Sequence, residues 1–215
     1  MFTKHEIKTR IIKLRAEGKA LPADYNLACF IADAALIFQQ DKAGVAYADH
    51  TTEVSRYNTN SMTKMIIGKL HDVVEDSDWT LDDLRDVGFS ERVVAAIDAL
   101  THRTGEPYFD SIERASLNAD ARDVKLKDLR HNMSGFRNNF LPGVKDLERM
   151  QKYVISYNYL VAVKKGEIAA GTPMPDFLDG KPELGGWSEE TLAGYSSHVE
   201  KRAAAAGPRW RAPWE

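Results

Sequence analysis

The chain has 215 residues, enough for one full-sized domain with additional helices or for two small ones. Hydrophobic residues make up 43% and charged residues 28%, ordinary for a soluble globular protein and too apolar for a disordered one. Lys and Arg total 29 against 32 Asp and Glu, a net charge of −3, which argues against a chain built to coat nucleic acid or an anionic membrane. No apolar run reaches the roughly 18 residues needed to span a bilayer. The start, Lys4-His5-Glu6-Ile7-Lys8, is too charged for a signal-peptide core, and a lone cysteine, Cys29, offers no internal disulfide. The expectation is a cytoplasmic globular protein with no membrane partner.

The periodicity is helical along the chain. Thr3 and Glu6 have capping-box spacing, after which Ile7, Ile11 and Leu14 share one face until Gly18 stops the helix. Asp24 caps a second helix carrying Ala28, Ile31, Ala35 and Phe38, which ends in the polar loop Gln39 to Gly44. A short helix is expected after His50, and Asn58 to Ser61 break the chain before the next, whose Met62, Met65, Ile66, Leu70 and Val73 point to a core. Thr80 caps a short acidic helix closed by Gly88, and Ser90 caps one with Val93, Val94, Ile97 and Leu100 as its stripe. Helical stretches follow around Tyr108 to Leu117 and Ala119 to Met133.

No alternating strands and no internal repeat emerge, so the expected class is all-α, a helical bundle with a C-terminal extension. The expected layout is an N-terminal helix over 1–22, a core over 23–135, a helical extension over 136–170, and a final segment over 171–215. That last stretch is rich in Pro and Gly, then gives a helix over Ser188 to Ala206 and a tail with Trp210 and Trp214 beside Arg residues. Such a tail either stacks on bases or packs on protein, and the acidic balance of the whole chain favours protein.

Chemistry concentrates in Leu70-His71-Asp72-Val73-Val74-Glu75-Asp76. On one continuous helix His71 would stack with Glu75, and Asp72 with Asp76, crowding carboxylates that are costly to bury without a cation. One reading is a divalent-metal site, for which carboxylate and neutral imidazole are natural ligands; the other is a solvated acidic helix end. A second segment, Val124 to Met133, sets Lys125, Asp128 and Asn132 on a polar stripe apart from Leu126, Leu129 and Met133. An Asp on an inward stripe completes a metal shell, whereas on a surface helix Asp128 and Asn132 would be a minor i, i+4 pair. His50, taken alone, is an ordinary partly exposed histidine at a loop-to-helix junction.

The ordered combination of a lone His, then His-Asp with Glu-Asp following, then Lys-x-x-Asp-x-x-x-Asn, resembles the HD-domain metal-dependent phosphohydrolases. More narrowly it resembles their RelA/SpoT-like small alarmone hydrolase branch, over about residues 24 to 135. Thr101 to Tyr108 is similar to the segment those proteins place between the two metal motifs. The resemblance implies an HD-domain bundle in which His50, His71, Asp72 and Asp128 hold a divalent metal, most often Mn2+. It implies that Glu75 and Asp76 handle the attacking water's proton, and that Lys42, Arg103, Tyr108, Lys125 and Asn132 meet a nucleotide substrate. Tyr108 read by itself is equally a half-buried aromatic at a helix start.

The implied activity is removal of a 3′-pyrophosphate from a guanosine alarmone, (p)ppGpp, or a related nucleotide. Thr51 stands where the family usually has Pro, and Asp41 where Arg is common, so the guanine pocket departs from the pattern. Two other functions stay open: a nucleotide phosphomonoesterase of the same superfamily, and a non-catalytic nucleotide-binding or interaction module on the same fold. Residues 136–215 are too few, and too interrupted by Pro and Gly, for a second α/β catalytic domain. Oligomeric state is not encoded in any feature of the chain.

Overall fold

Short polar residues at the helix starts punctuate the chain into segments that pack by their apolar faces. The computed structural model describes residues 3–19, 24–39, 47–134, 143–181 and 184. Among them lie eleven helices and no strand: α1 (Lys4–Ala16), α2 (Tyr25–Leu36), α3 (Tyr47–Arg56), α4 (Met62–Leu70), α5 (Val73–Asp76), α6 (Leu81–Asp86), α7 (Glu91–Leu100), α8 (Tyr108–Ser116), α9 (Ala119–Asn132), α10 (Val144–Lys165) and α11 (Met174–Leu178). The Ser188 to Ala206 helix, the Trp-containing tail and the loop holding Lys42 lie outside the described residues.

Six of these starts carry a side-chain cap. Thr3 and Glu6 exchange side-chain and backbone bonds in a capping box at α1, and Thr80 and Asp83 do the same at α6. Asp24 accepts from the amides of Asn26 and Leu27, while Ser61, Ser90 and Asn118 cap α4, α7 and α9. Each such cap contributes about 1 kcal/mol. Gly18 closes α1 with φ of 69°, a left-handed conformation glycine adopts without a Cβ clash.

Two apolar groups are buried. The first gathers α1, α2, α4, α6 and α7, with Ile31, Leu36, Ile67, Leu70, Leu84 and Ile97 fully enclosed. The second joins Ile112 of α8 and Leu129 of α9 to Tyr159 and Leu160 of α10 and to Met174 and Phe177 of α11. Helix α9 serves both, giving Ala121 and Val124 to the first and Leu126 and Leu129 to the second. Asp128 follows Val124 by one turn, so it lies on the face that α9 turns toward the first group.

Two expectations need correction. Met62 is 58% exposed, because it opens α4 one turn before the apolar stripe reaches the core. His50 lies within α3 rather than ahead of it, since that helix begins at Tyr47.

Candidate metal centre

Three helical elements bring the central side chains together. Lys69 on α4 is only 1% exposed, yet its ammonium donates to Thr52 Oγ1 at 2.7 Å and Asp33 Oδ1 at 2.8 Å. It thereby ties α2 and the first turns of α3 to α4. One residue earlier, a Cβ on Gly68 would stand 3.0 Å from Ser55 Cα and 3.1 Å from Ser55 N, so only glycine allows α3 and α4 to approach this closely. The Gly68 carbonyl also accepts from His71 Nδ1 at 2.8 Å. A carbonyl cannot donate, so Nδ1 carries a proton and Nε2 is the nitrogen left to face the site.

The expectation of one helix through residues 70 to 76 is corrected by a break. Helix α4 ends at Leu70 and α5 begins at Val73, with His71 and Asp72 at the junction. On a continuous helix, consecutive side chains diverge by about 100°. The break instead brings His71 Nε2 and Asp72 Oδ2 to 3.1 Å. Glu75 consequently does not pack under His71: it is exposed and accepts from the His102 amide at 2.8 Å.

From α3 and α9 come the other ligand candidates. His50 Nε2 lies 3.2 Å from Asp128 Oδ1 and 3.4 Å from Asp72 Oδ2, and His71 Nε2 lies 3.8 Å from Asp128 Oδ1. His50, His71 and Asp128 are all buried, and each offers an atom within 4.8 Å of the others. The Lys125–Asp128–Asn132 stripe converges as its spacing allows. Lys125 Nζ donates to Asp128 Oδ2 at 2.8 Å, and Asn132 Nδ2 to Oδ1 at 2.6 Å.

The cluster's ionisation is set by its own members. Burial opposes the charge on Asp72, but His71 and His50 beside it outweigh burial and hold its carboxyl well below the usual range. Asp128 is likewise held well below, with Lys125 and the two histidines overcoming its burial. In return, burial works against a charged His71, yet Asp72 and Asp128 push it up to about 10. Burial also disfavours charge on Lys125, but Asp128 keeps it firmly protonated. The His71 Nε2 and Asp72 Oδ2 atoms are enclosed and make no hydrogen bond, though they lie close together. Facing ligand atoms this close fit a divalent ion, whose neighbouring ligand atoms stand roughly 3 Å apart and whose binding would displace the His71 Nε2 proton. The buried group of His50, His71 and Asp128 can hold such an ion.

Asp76 is a separate case. Burial and the nearby charges of Asp72 and Glu75 raise its carboxyl to about 6. Tyr47 hydrogen-bonds to it, and burial together with Asp72, Asp76 and Asp128 drives the Tyr47 hydroxyl strongly upward. Tyr108 is half-buried, and burial raises its hydroxyl to about 12; Lys152 of α10 sits 4.1 Å over its ring. Arg103 is exposed, its guanidinium 3.8 Å from Asp98 and its amide bonded to Glu106.

Sequence reasoning passed over His131, whose Nδ1 is 2.7 Å from His50 Nδ1. The spacing signal was present, since His131 follows Asp128 by three residues on α9. It also passed over Arg114, which grips Glu106 with two 2.7 Å bonds and donates to the carbonyls of Asp98, Ala99 and Thr101. Arg114 thus shapes the segment whose His102 amide holds Glu75. No local pattern announces that role.

Helices α2, α3, α4, α5 and α9 surround this buried histidine–aspartate group in an all-α bundle. A solved structure of a metazoan ortholog of SpoT, which hydrolyzes ppGpp and plays a role in starvation responses, superposes with a TM-score of 0.55. The match covers 85% of this chain and 95% of that one, at 16% identity, and so establishes a shared fold. No family model matches the chain. No helix among the described residues is long and apolar enough to cross a membrane.

Proposed function

We propose that this chain is a metal-dependent hydrolase, using Mn2+ or another divalent ion, that removes the 3′-pyrophosphate of a guanosine alarmone or a related nucleotide. One observation carries the reading: the enclosed nitrogen of His71 and oxygen of Asp72 have no hydrogen-bond partner and converge with His50 and Asp128. The shared fold with a ppGpp-hydrolyzing SpoT ortholog supports the choice of substrate class.

His50, His71, Asp72 and Asp128 would hold the ion. When bound, a divalent cation lowers the pKa of an attached water from about 16 towards 7. Asp76, raised to about 6, then suits the task of taking a proton near neutrality, and the Tyr47 hydroxyl orients it. Glu75, anchored by the His102 amide, supplies part of the charge that lifts Asp76. Lys125 keeps a permanent positive charge beside Asp128, where it offsets negative charge on a phosphate oxygen. Tyr108, with Lys152 over its ring, offers an aromatic face for the nucleotide. Asn132 holds Asp128 in place through its amide.

The test is product identification. Purified full-length protein with Mn2+ is given a 3′-pyrophosphorylated guanosine nucleotide and a panel of nucleoside monophosphates. Release of pyrophosphate from the first, lost in Asp128→Ala, is the expected result. Orthophosphate from the panel would replace this reading with a phosphomonoesterase, and no turnover of any substrate would leave a binding module.

A further inference from the structure

His50 and His131 are 81 positions apart and come from α3 and α9, yet their Nδ1 atoms meet at 2.7 Å in a buried contact. Their rings lie edge to edge, with centroids 5.0 Å apart and 24° between planes. Two ring nitrogens at that distance share one proton, so one donates and the other accepts. Two arrangements satisfy the contact. In the first, His50 carries its proton on Nδ1 and presents a bare Nε2 to Asp128 Oδ1, 3.2 Å away, and to Asp72 Oδ2, 3.4 Å away. In the second, His131 donates, and a neutral His50 carries its proton on Nε2, where no lone pair remains for a cation.

We infer that His131 is a positioning residue for the metal centre: its Nδ1 accepts the His50 proton and thereby selects the tautomer in which His50 Nε2 can bind an ion. The inference rests on the metal-centre reading above. His71 reaches the same end by another route, donating Nδ1–H to the Gly68 carbonyl at 2.8 Å. At position 50 an acceptor from another helix takes the role that a carbonyl plays for His71. The in-plane contact, with 24° between the rings, fixes the plane of the imidazole as well as its proton. Partners of this kind typically govern metal affinity by about 10- to 100-fold.

The experiment uses the full chain and two substitutions. His131→Asn retains an oxygen acceptor near the position of Nδ1, whereas His131→Phe keeps an aromatic ring without any acceptor. Mn2+ affinity is measured by titration calorimetry, without substrate. His131→Phe is expected to bind about 10- to 100-fold more weakly than the parent, and His131→Asn within about threefold of it. Parent-like affinity in His131→Phe, or equal weakening in both variants, overturns the inference.

A second measurement stands independently of variant folding. In the parent loaded with diamagnetic Zn2+, ring 15N shifts are expected to show His50 protonated on Nδ1 and His131 protonated on Nε2 alone. A proton on His131 Nδ1 in that state overturns the inference while leaving the metal centre intact. A parent that binds neither ion removes the metal centre itself, and the inference with it.

Discussion

Replacing Glu106 with Gln isolates the contribution of one carboxylate that shapes the edge of the site. Arg114 meets it through two 2.7 Å bonds, and the Arg103 amide adds a third at 3.0 Å. The Arg114 bonds come first among the causes that lower its carboxyl from 4.5 to about 2. At about 1.4 kcal/mol per unit, a drop of about 2.5 units corresponds to about 3 kcal/mol at neutral pH. The two side chains keep 18% and 13% exposure, so some solvent screening applies, and about 2 kcal/mol is the working figure. The sign follows from a folded pKa below the unfolded one. The stabilisation is fully present above pH 4.5 and is lost as pH falls from there through about 2.

Urea unfolding of parent and Glu106→Gln, followed by far-UV circular dichroism, should therefore show a gap of about 2 kcal/mol at about pH 7, more than half of it gone by about pH 3. Because this pair also shapes the segment that presents the His102 amide to Glu75, hydrolysis should slow in the variant without loss of metal affinity. A gap that stays constant across that pH range would refute the linkage. So would a gap at neutral pH below about 0.5 kcal/mol, the level of an ordinary surface substitution.

The site itself makes further demands. Asp72→Ala and Asp128→Ala should each abolish detectable Mn2+ binding in calorimetry, and the second should also destabilise the metal-free fold by stranding Lys125 and Asn132 without their acceptor. His71, pushed up to about 10 by Asp72 and Asp128, carries a proton at neutral pH in the metal-free protein. Metal binding near pH 7.5 should therefore release about one proton per ion, read from the dependence of the binding enthalpy on buffer ionisation enthalpy. The release should fade above about 10, where that proton is already gone; an enthalpy independent of buffer would contradict the charge reading. Leu129 is fully enclosed between α9 and α10, so Leu129→Ala should cost about 3 kcal/mol in urea unfolding with little change in slope.

Much of this protein is written within single turns of helix. The Thr3–Glu6 and Thr80–Asp83 boxes lie three residues apart, and the bonds they make depend on almost nothing outside that window. The Lys125, Asp128 and Asn132 stripe is equally local: its spacing sets the three on one face, where two bonds converge on Asp128. The all-helical class followed from the same periodicity.

Other features exist only after the helices dock. The break at His71 and Asp72 sets two adjacent side chains on one point, and nothing in Leu70 to Asp76 separates that outcome from a continuous acidic helix. Gly68 reads as a weak spot in a helix until Ser55, 13 positions earlier, is found against it. The buried Lys69 clamp, the Arg114 grip on the 98–107 segment and the contact between His50 and His131 have the same character. Residue type and spacing determine what a helix face offers, because hydrogen bonding and side-chain stacking along one helix act over a few residues. Which face meets which is decided by packing between elements far apart in the chain, and the metal centre is assembled at that level.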